Sequence, residues 1–204
     1  MKRLLLAPLA CAFVHAAAPA PEPAAAPAAS SATPAFVEGQ LVRPADYRQW
    51  IYLTTGFDMS YNPTLRMGHH MFDNVFVNPE AWHAFQQTGT WPEGTTLVLE
   101  ARGARDKGSI NRQGQYQDAG VMALEIHVKD AARFRGGWAF FVFGDDSSRT
   151  ATMIPEKAEC YACHQSHAAV DTTFVQFYPT LLPLAEAKGT LSATYRAERL
   201  KARD

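Results

Sequence analysis

Cys160, Cys163 and His164 are the residues whose types and spacing carry chemistry, in the run Cys160-Tyr161-Ala162-Cys163-His164. Two thiols three positions apart share one face of a helical turn, within reach of the two vinyl groups of a haem, and the adjoining imidazole then faces the iron as proximal ligand. The pattern predicts one covalently attached haem c per chain. Two other uses of the pair weigh less. A redox disulfide of this spacing follows a strand in a βαβ unit, and no such unit is read here. A zinc site could recruit His167, but the chain has no second cysteine pair to complete it.

The ligand on the far side of the iron decides what such a protein does. A sixth side chain makes an electron-transfer cytochrome, whereas an open position binds a small molecule. Met59, Met67, Met71, Met122, Met153, His69 and His70 are the candidates for a sixth ligand, and none stands in a diagnostic motif. A methionine in a strand is ordinary core filler, and His69-His70 beside Gly68 fits a surface turn.

The elements that must position these residues read mainly as strands. Trp50 to Leu53, Asn74 to Val77 and Thr95 to Ala101 are aromatic or β-branched runs. Asn78-Pro79 starts a helix, with Asn78 as N-cap, that runs through Trp82 and Phe85 and stops at Gly89. A polar loop from Gly103 to Gln117 leads to the strand Val121 to Val128. There Met122, Leu124, Ile126 and Val128 form the expected core face, with Glu125 and His127 opposite. Trp138 to Phe143 is apolar on both faces and predicts a central strand. Strands joined by short or polar connections predict an α+β fold: a mainly antiparallel β-sheet with short helices, the haem motif on a C-terminal helix or loop.

At 204 residues and 47% apolar the chain has material for one domain, placed at 41–184. Residues 1–16 read as a signal peptide: a basic start at Lys2-Arg3, an apolar run from Leu4 to Val14, and small-residue cleavage geometry at Val14-His15-Ala16. Cys11 lies inside that run and is read as part of the removed segment rather than as a lipid anchor. Residues 17–40 form an Ala/Pro tether, and 185–204 a charged, helix-prone tail. A net charge of −1 with no charge runs argues against nucleic acid as a partner, and no segment is long enough to span a bilayer. The expected product is an exported, soluble protein.

From Cys160 to Pro179 the chain closely resembles the cytochrome P-460 family, which includes the cytochromes c′-beta. The likeness extends through Tyr47-Arg48-Gln49-Trp50, Asn74 to Glu80, Thr88-Gly89, Glu93-Gly94-Thr95 and Gly137 to Phe141. It implies a dimeric, periplasmic, mainly antiparallel β protein with a five-coordinate c-haem. Such proteins either oxidise hydroxylamine or bind nitric oxide in an apolar distal pocket. The enzymes carry a lysine cross-linked to the haem, and the matching position here is Leu99. The nearest lysine, Lys107, lies in a polar loop. The resemblance makes Leu99 an apolar wall above the iron, Phe72 a second wall, and Glu125 a carboxylate able to relay protons.

The leading expectation is therefore a mono-haem cytochrome binding nitric oxide or a related small ligand without the cross-link. The alternative is a hydroxylamine-oxidising enzyme that passes electrons to another periplasmic cytochrome. A six-coordinate electron-transfer cytochrome is the third.

Overall fold

The computed structural model describes residues 33–60, 68–144 and 147–202. The signal-peptide segment with Cys11, most of the tether, and Met67 lie outside the described residues. The fold is α+β. Strands β1 (Phe36–Val37), β2 (Gln40–Val42) and β8 (Thr150–Ala151) make a small sheet, in the order β1-β2-β8. Strands β3 (Ile51–Phe57), β4 (Met71–Val77), β5 (Thr96–Arg105), β6 (Tyr116–Lys129) and β7 (Trp138–Phe143) form a five-stranded antiparallel sheet in sequence order. Helices α1 (Pro79–Thr88), α2 (Glu159–His167), α3 (Leu182–Lys188) and α4 (Ala193–Lys201) complete it.

The large sheet is buried on both faces. One face holds Val98, Leu124, Ile126, Phe141 and Phe143 against Leu41 and Tyr47. The other packs Val77, Leu97 and Trp138 against Phe85 of α1 and Leu181 and Ala185 around α3. This explains two departures from expectation. The face of β6 that carries Glu125 and His127 is interior as well, while Met122, expected in the core, is 41% exposed beyond its end. Strand β7 bonds only to β6 within the large sheet, so it is an edge strand rather than a central one. Its Ala139, Phe141 and Phe143 fill one core and Phe140 and Val142 look into a cavity, so both faces are apolar although one side lacks a strand.

Local chemistry fixes the connections. Pro79 opens α1, and Gly89 closes it with a left-handed φ of 74°, its N–H donating to the Phe85 carbonyl at 2.7 Å. Asn78 occupies the cap position, but its side chain accepts instead from the Thr96 N–H at 2.8 Å, which ties the start of α1 to β5. The expected polar loop shortens to 106–115, because β5 and β6 pair as far as Arg105 and Tyr116.

Candidate haem site

Helix α2 carries both cysteines and His164, yet it contains no fully buried residue. A nine-residue helix with so little apolar burial must be held by other means. Tyr161, between the two cysteines, pins it to β7: its hydroxyl donates to the Ile154 carbonyl at 3.1 Å and accepts from the Phe140 N–H at 3.3 Å. At its C-terminal end His167 hydrogen-bonds Glu198 of α4.

The segment after α2 sets the histidine. Ser192 donates to both the Ala169 and Ala168 carbonyls, its N–H to the first and its hydroxyl to the second, each at 2.7 Å. Trp91 Nε1 donates to Thr173 Oγ1 at 2.8 Å. The fixed Thr172 carbonyl lies 2.7 Å from His164 Nδ1. A carbonyl can only accept, so Nδ1 carries the proton and Nε2 keeps its lone pair, the tautomer that an iron ligand requires. Burial pushes the His164 pKa down, which favours the same neutral form.

Behind His164 stands His127, buried and stacked on Phe140 with ring centroids 3.9 Å apart. Its ring meets that of His164 edge-on at 5.1 Å, and its Nε2 lies 3.4 Å from Thr172 Oγ1. Burial, with His164 adding to it, holds its pKa well below the usual imidazole value. Thr172 thus touches both rings, by its carbonyl on one and its hydroxyl on the other. Alternation of β6 puts His127 on this face, but its place behind His164 comes from the loop after α2 and could not be read from the sequence.

Cys160 and His164 open onto a cavity of about 160 Å³ walled by Val75, Leu97, Leu99, Phe140, Val142 and Phe174, with Glu125 in its lining. Val142 is 46% exposed there, an apolar side chain facing empty space. A second lobe shares Val75, Leu99, Glu125, Phe174 and Tyr178 with the first, and adds Met59, Met71 and Asp73. Sheet register explains the grouping: Val75, Leu99, Glu125 and Val142 are successive cross-strand partners on β4 to β7. Glu125 is open to water through the cavity while protein surrounds it on its other sides, and that burial raises its pKa.

Sequence reasoning and structure can be compared residue by residue. Cys160, His164, Leu99 and Glu125 line one cavity, and Cys163 lies on the same helix, with both thiols free. Phe72 is set apart: it pairs with Arg102, one position out of phase with Val75 and Leu99, and packs on Phe57 at 4.8 Å. Among the sixth-ligand candidates, Met59 and Met71 reach the second lobe. Met153 packs on the opposite core, Met122 is exposed, and His70 pairs with Asp58 outside the cavity. Sequence reasoning missed Asp73, which lines the second lobe. Among the described residues no lysine or arginine lines either lobe. Among the described residues no group of three or more His, Cys, Asp or Glu side chains is placed to hold a metal ion directly.

An antiparallel sheet with an apolar cavity on one face, closed by a helix presenting two thiols and a correctly tautomerised imidazole, defines a domain whose residues fit a haem. Comparison with family models gives the particular lineage: Cytochrome P460 matches residues 44–175, and the chain belongs to that family. Membership supports a haem-binding redox protein in general. No curated protein matches the chain. No helix among the described residues is long and apolar enough to cross a membrane.

Proposed function

We propose that this is an exported mono-haem c-type cytochrome of the periplasm, its haem held by Cys160, Cys163 and His164, that binds nitric oxide or a related small ligand at an open iron position. The observation that carries the reading is the bond between His164 Nδ1 and the Thr172 carbonyl, which leaves Nε2 free beside a cavity on the helix that also bears both thiols. A bound haem would supply a one-electron redox couple and one coordination position for a small ligand. The chain's own part is to anchor, orient and exclude water. Val75, Leu99, Phe140 and Val142 offer apolar walls without a hydrogen-bond donor, so sterics rather than donated hydrogen bonds would set ligand affinity.

Leu99 has no amine, and no lysine among the described residues lines the cavity, so the reading includes no lysine–haem cross-link. The optical spectrum of the purified ferrous protein tests this. An ordinary high-spin c-haem spectrum with rapid nitric oxide binding is expected. A strongly red-shifted Soret band would overturn the Leu99 assignment. A low-spin spectrum lost in Met59→Ala or Met71→Ala would replace the reading with six-coordinate electron transfer.

One observation favours a second reading, oxidation of hydroxylamine with electrons passed to another cytochrome. Glu125 faces the cavity with a raised pKa, and such chemistry must remove protons along with electrons. Turnover with hydroxylamine and an electron acceptor, lost in Glu125→Gln, would put this reading first. Sedimentation of the haem-loaded protein checks the homodimer implied by the family resemblance.

A further inference from the structure

Asp73 lies on β4, two residues before Val75, and so on the cavity face of the sheet. Its cross-strand partner is Ala101, and Ala101 pairs in turn with Ala123 on β6. Asp73 and Glu125 both line the second lobe, Glu125 in the row it shares with Val75 and Leu99. Their strands are two spacings apart, roughly 10 Å, so the carboxylates face each other across the lobe rather than sharing a hydrogen bond. Neither forms an ion pair with a described residue.

The surroundings are specific about charge. Just after β3, Asp58 acts on Asp73 and is already bonded to His70 and to the Met71 N–H. From β6 it is Glu125, with His127 two residues further along the same face. Across the cavity stand His164, Cys160 and Tyr178. The remaining neighbours, Met59, Met71, Leu99 and Phe177, are neutral. Two carboxylates thus sit in a cavity that no lysine or arginine among the described residues lines, beside the proposed haem.

We infer that Asp73 and Glu125 form a redox-linked proton site, taking up a proton from solvent when the bound haem gains an electron. The inference rests on the haem reading above and deepens it. The step balances: a one-electron donor, such as a reduced cytochrome, converts ferric to ferrous iron, and one proton from bulk water adds to a carboxylate oxygen of the pair. The net charge of the cavity is then unchanged, which is the favourable outcome where little counter-charge is available. The Asp73 pKa agrees with this geometry, being raised to about 6 by burial first, then by Glu125 and Asp58. The nearby Asp58 and His70 side chains are 27% and 59% exposed, so solvent reaches this end of the strand.

The test is the midpoint potential of the haem-loaded protein as a function of pH, after mass spectrometry has confirmed covalent haem. Lack of haem would sink the functional reading itself, independently of this inference. With haem present, the potential is expected to fall as pH rises through the region near 6 and to flatten on either side. Glu125→Gln removes the like charge beside Asp73 and should move the inflection to lower pH. Asp73→Asn should abolish most of the slope, and the double variant should be flat. If Asp73→Asn fails to fold, the Glu125→Gln displacement alone decides. A slope unchanged in Glu125→Gln and in any foldable Asp73 variant would overturn the proposal and assign the protons to other groups.

Discussion

Two acids on opposite faces of one sheet respond to pH in opposite senses. Glu100 is buried and accepts hydrogen bonds from Arg102, Tyr47 and Arg48. Burial works against its charge, but the bonds from Arg102, Tyr47 and Arg48 outweigh it and hold the pKa at about 2. The unfolded chain takes up a proton near 4.5 while the folded one still resists, so the stabilisation is complete above that pH and lost as pH falls toward about 2. Denaturant titrations across that window should show this acid limb. Glu100→Gln should remove it and cost about 3 kcal/mol at neutral pH, because two guanidinium groups lose their carboxylate. Asp73 has the reverse sign. Its folded pKa of about 6 exceeds the model-peptide value of 3.8, so stability is highest below the latter and is lost as pH rises through the former. Asp73→Asn should therefore stabilise the protein at pH 8 by roughly 1–2 kcal/mol, discounting for partial exposure, and by little at pH 4. A substitution that stabilised equally at both would mean that Asp73 is not the titrating group.

At the scale of elements, most strands were legible because their alternation is strong, and the haem motif because its spacing is chemical. What was not legible depended on partners. Trp138 to Phe143 reads as a central strand because apolar residues on both faces normally mean protein on both sides. Here the second apolar face is cavity wall. Phe72 and Asp73 are adjacent in sequence, but only the pairing of β4 with β5 shows that Asp73 shares the phase of Val75 and Leu99 and that Phe72 does not. The close of α1, by contrast, was readable from one glycine, and it makes a graded prediction. Gly89 has φ 74°, and a Cβ there would meet Lys188 Cβ at 2.8 Å and Thr190 Oγ1 at 2.9 Å. Gly94 has φ 80° with nothing within 4 Å. Gly94→Ala should cost about 1 kcal/mol for backbone strain alone, and Gly89→Ala at least about 2 kcal/mol because the α3 end must also move. Equal costs in paired thermal melts would show that the contact with Lys188 yields freely.

For the whole molecule, the sheet separates two cores that do not depend equally on a cofactor. The face built on Leu124, Ile126, Phe141 and Phe143 is closed by protein alone. The other face has closed packing around Phe85, Trp91 and Leu181, but between β7 and α2 it opens into the cavity. Val142 is exposed there, Leu99 is half-buried, and α2 contributes no fully buried residue. A cofactor filling that space would cover these side chains, each worth up to roughly 1.5–3 kcal/mol when fully buried, and would give α2 the packing it lacks. Cys160→Ala/Cys163→Ala protein, which cannot attach haem covalently, should melt about 5–10 °C lower than the loaded protein, on the usual scale of a few degrees per kcal/mol at this size. The loss should also be uneven. Amides of β5 and β6, hydrogen-bonded to strands on both sides and packed on the closed core by one face, should keep their protection from hydrogen exchange, while α2 and residues 168–174 should exchange much faster than in the loaded protein. Uniform acceleration across the sheet would mean that both cores form one cooperative unit and that the cofactor stabilises the fold as a whole, whereas unchanged protection in α2 would mean that Tyr161 and the Thr172 carbonyl suffice to hold the helix without it.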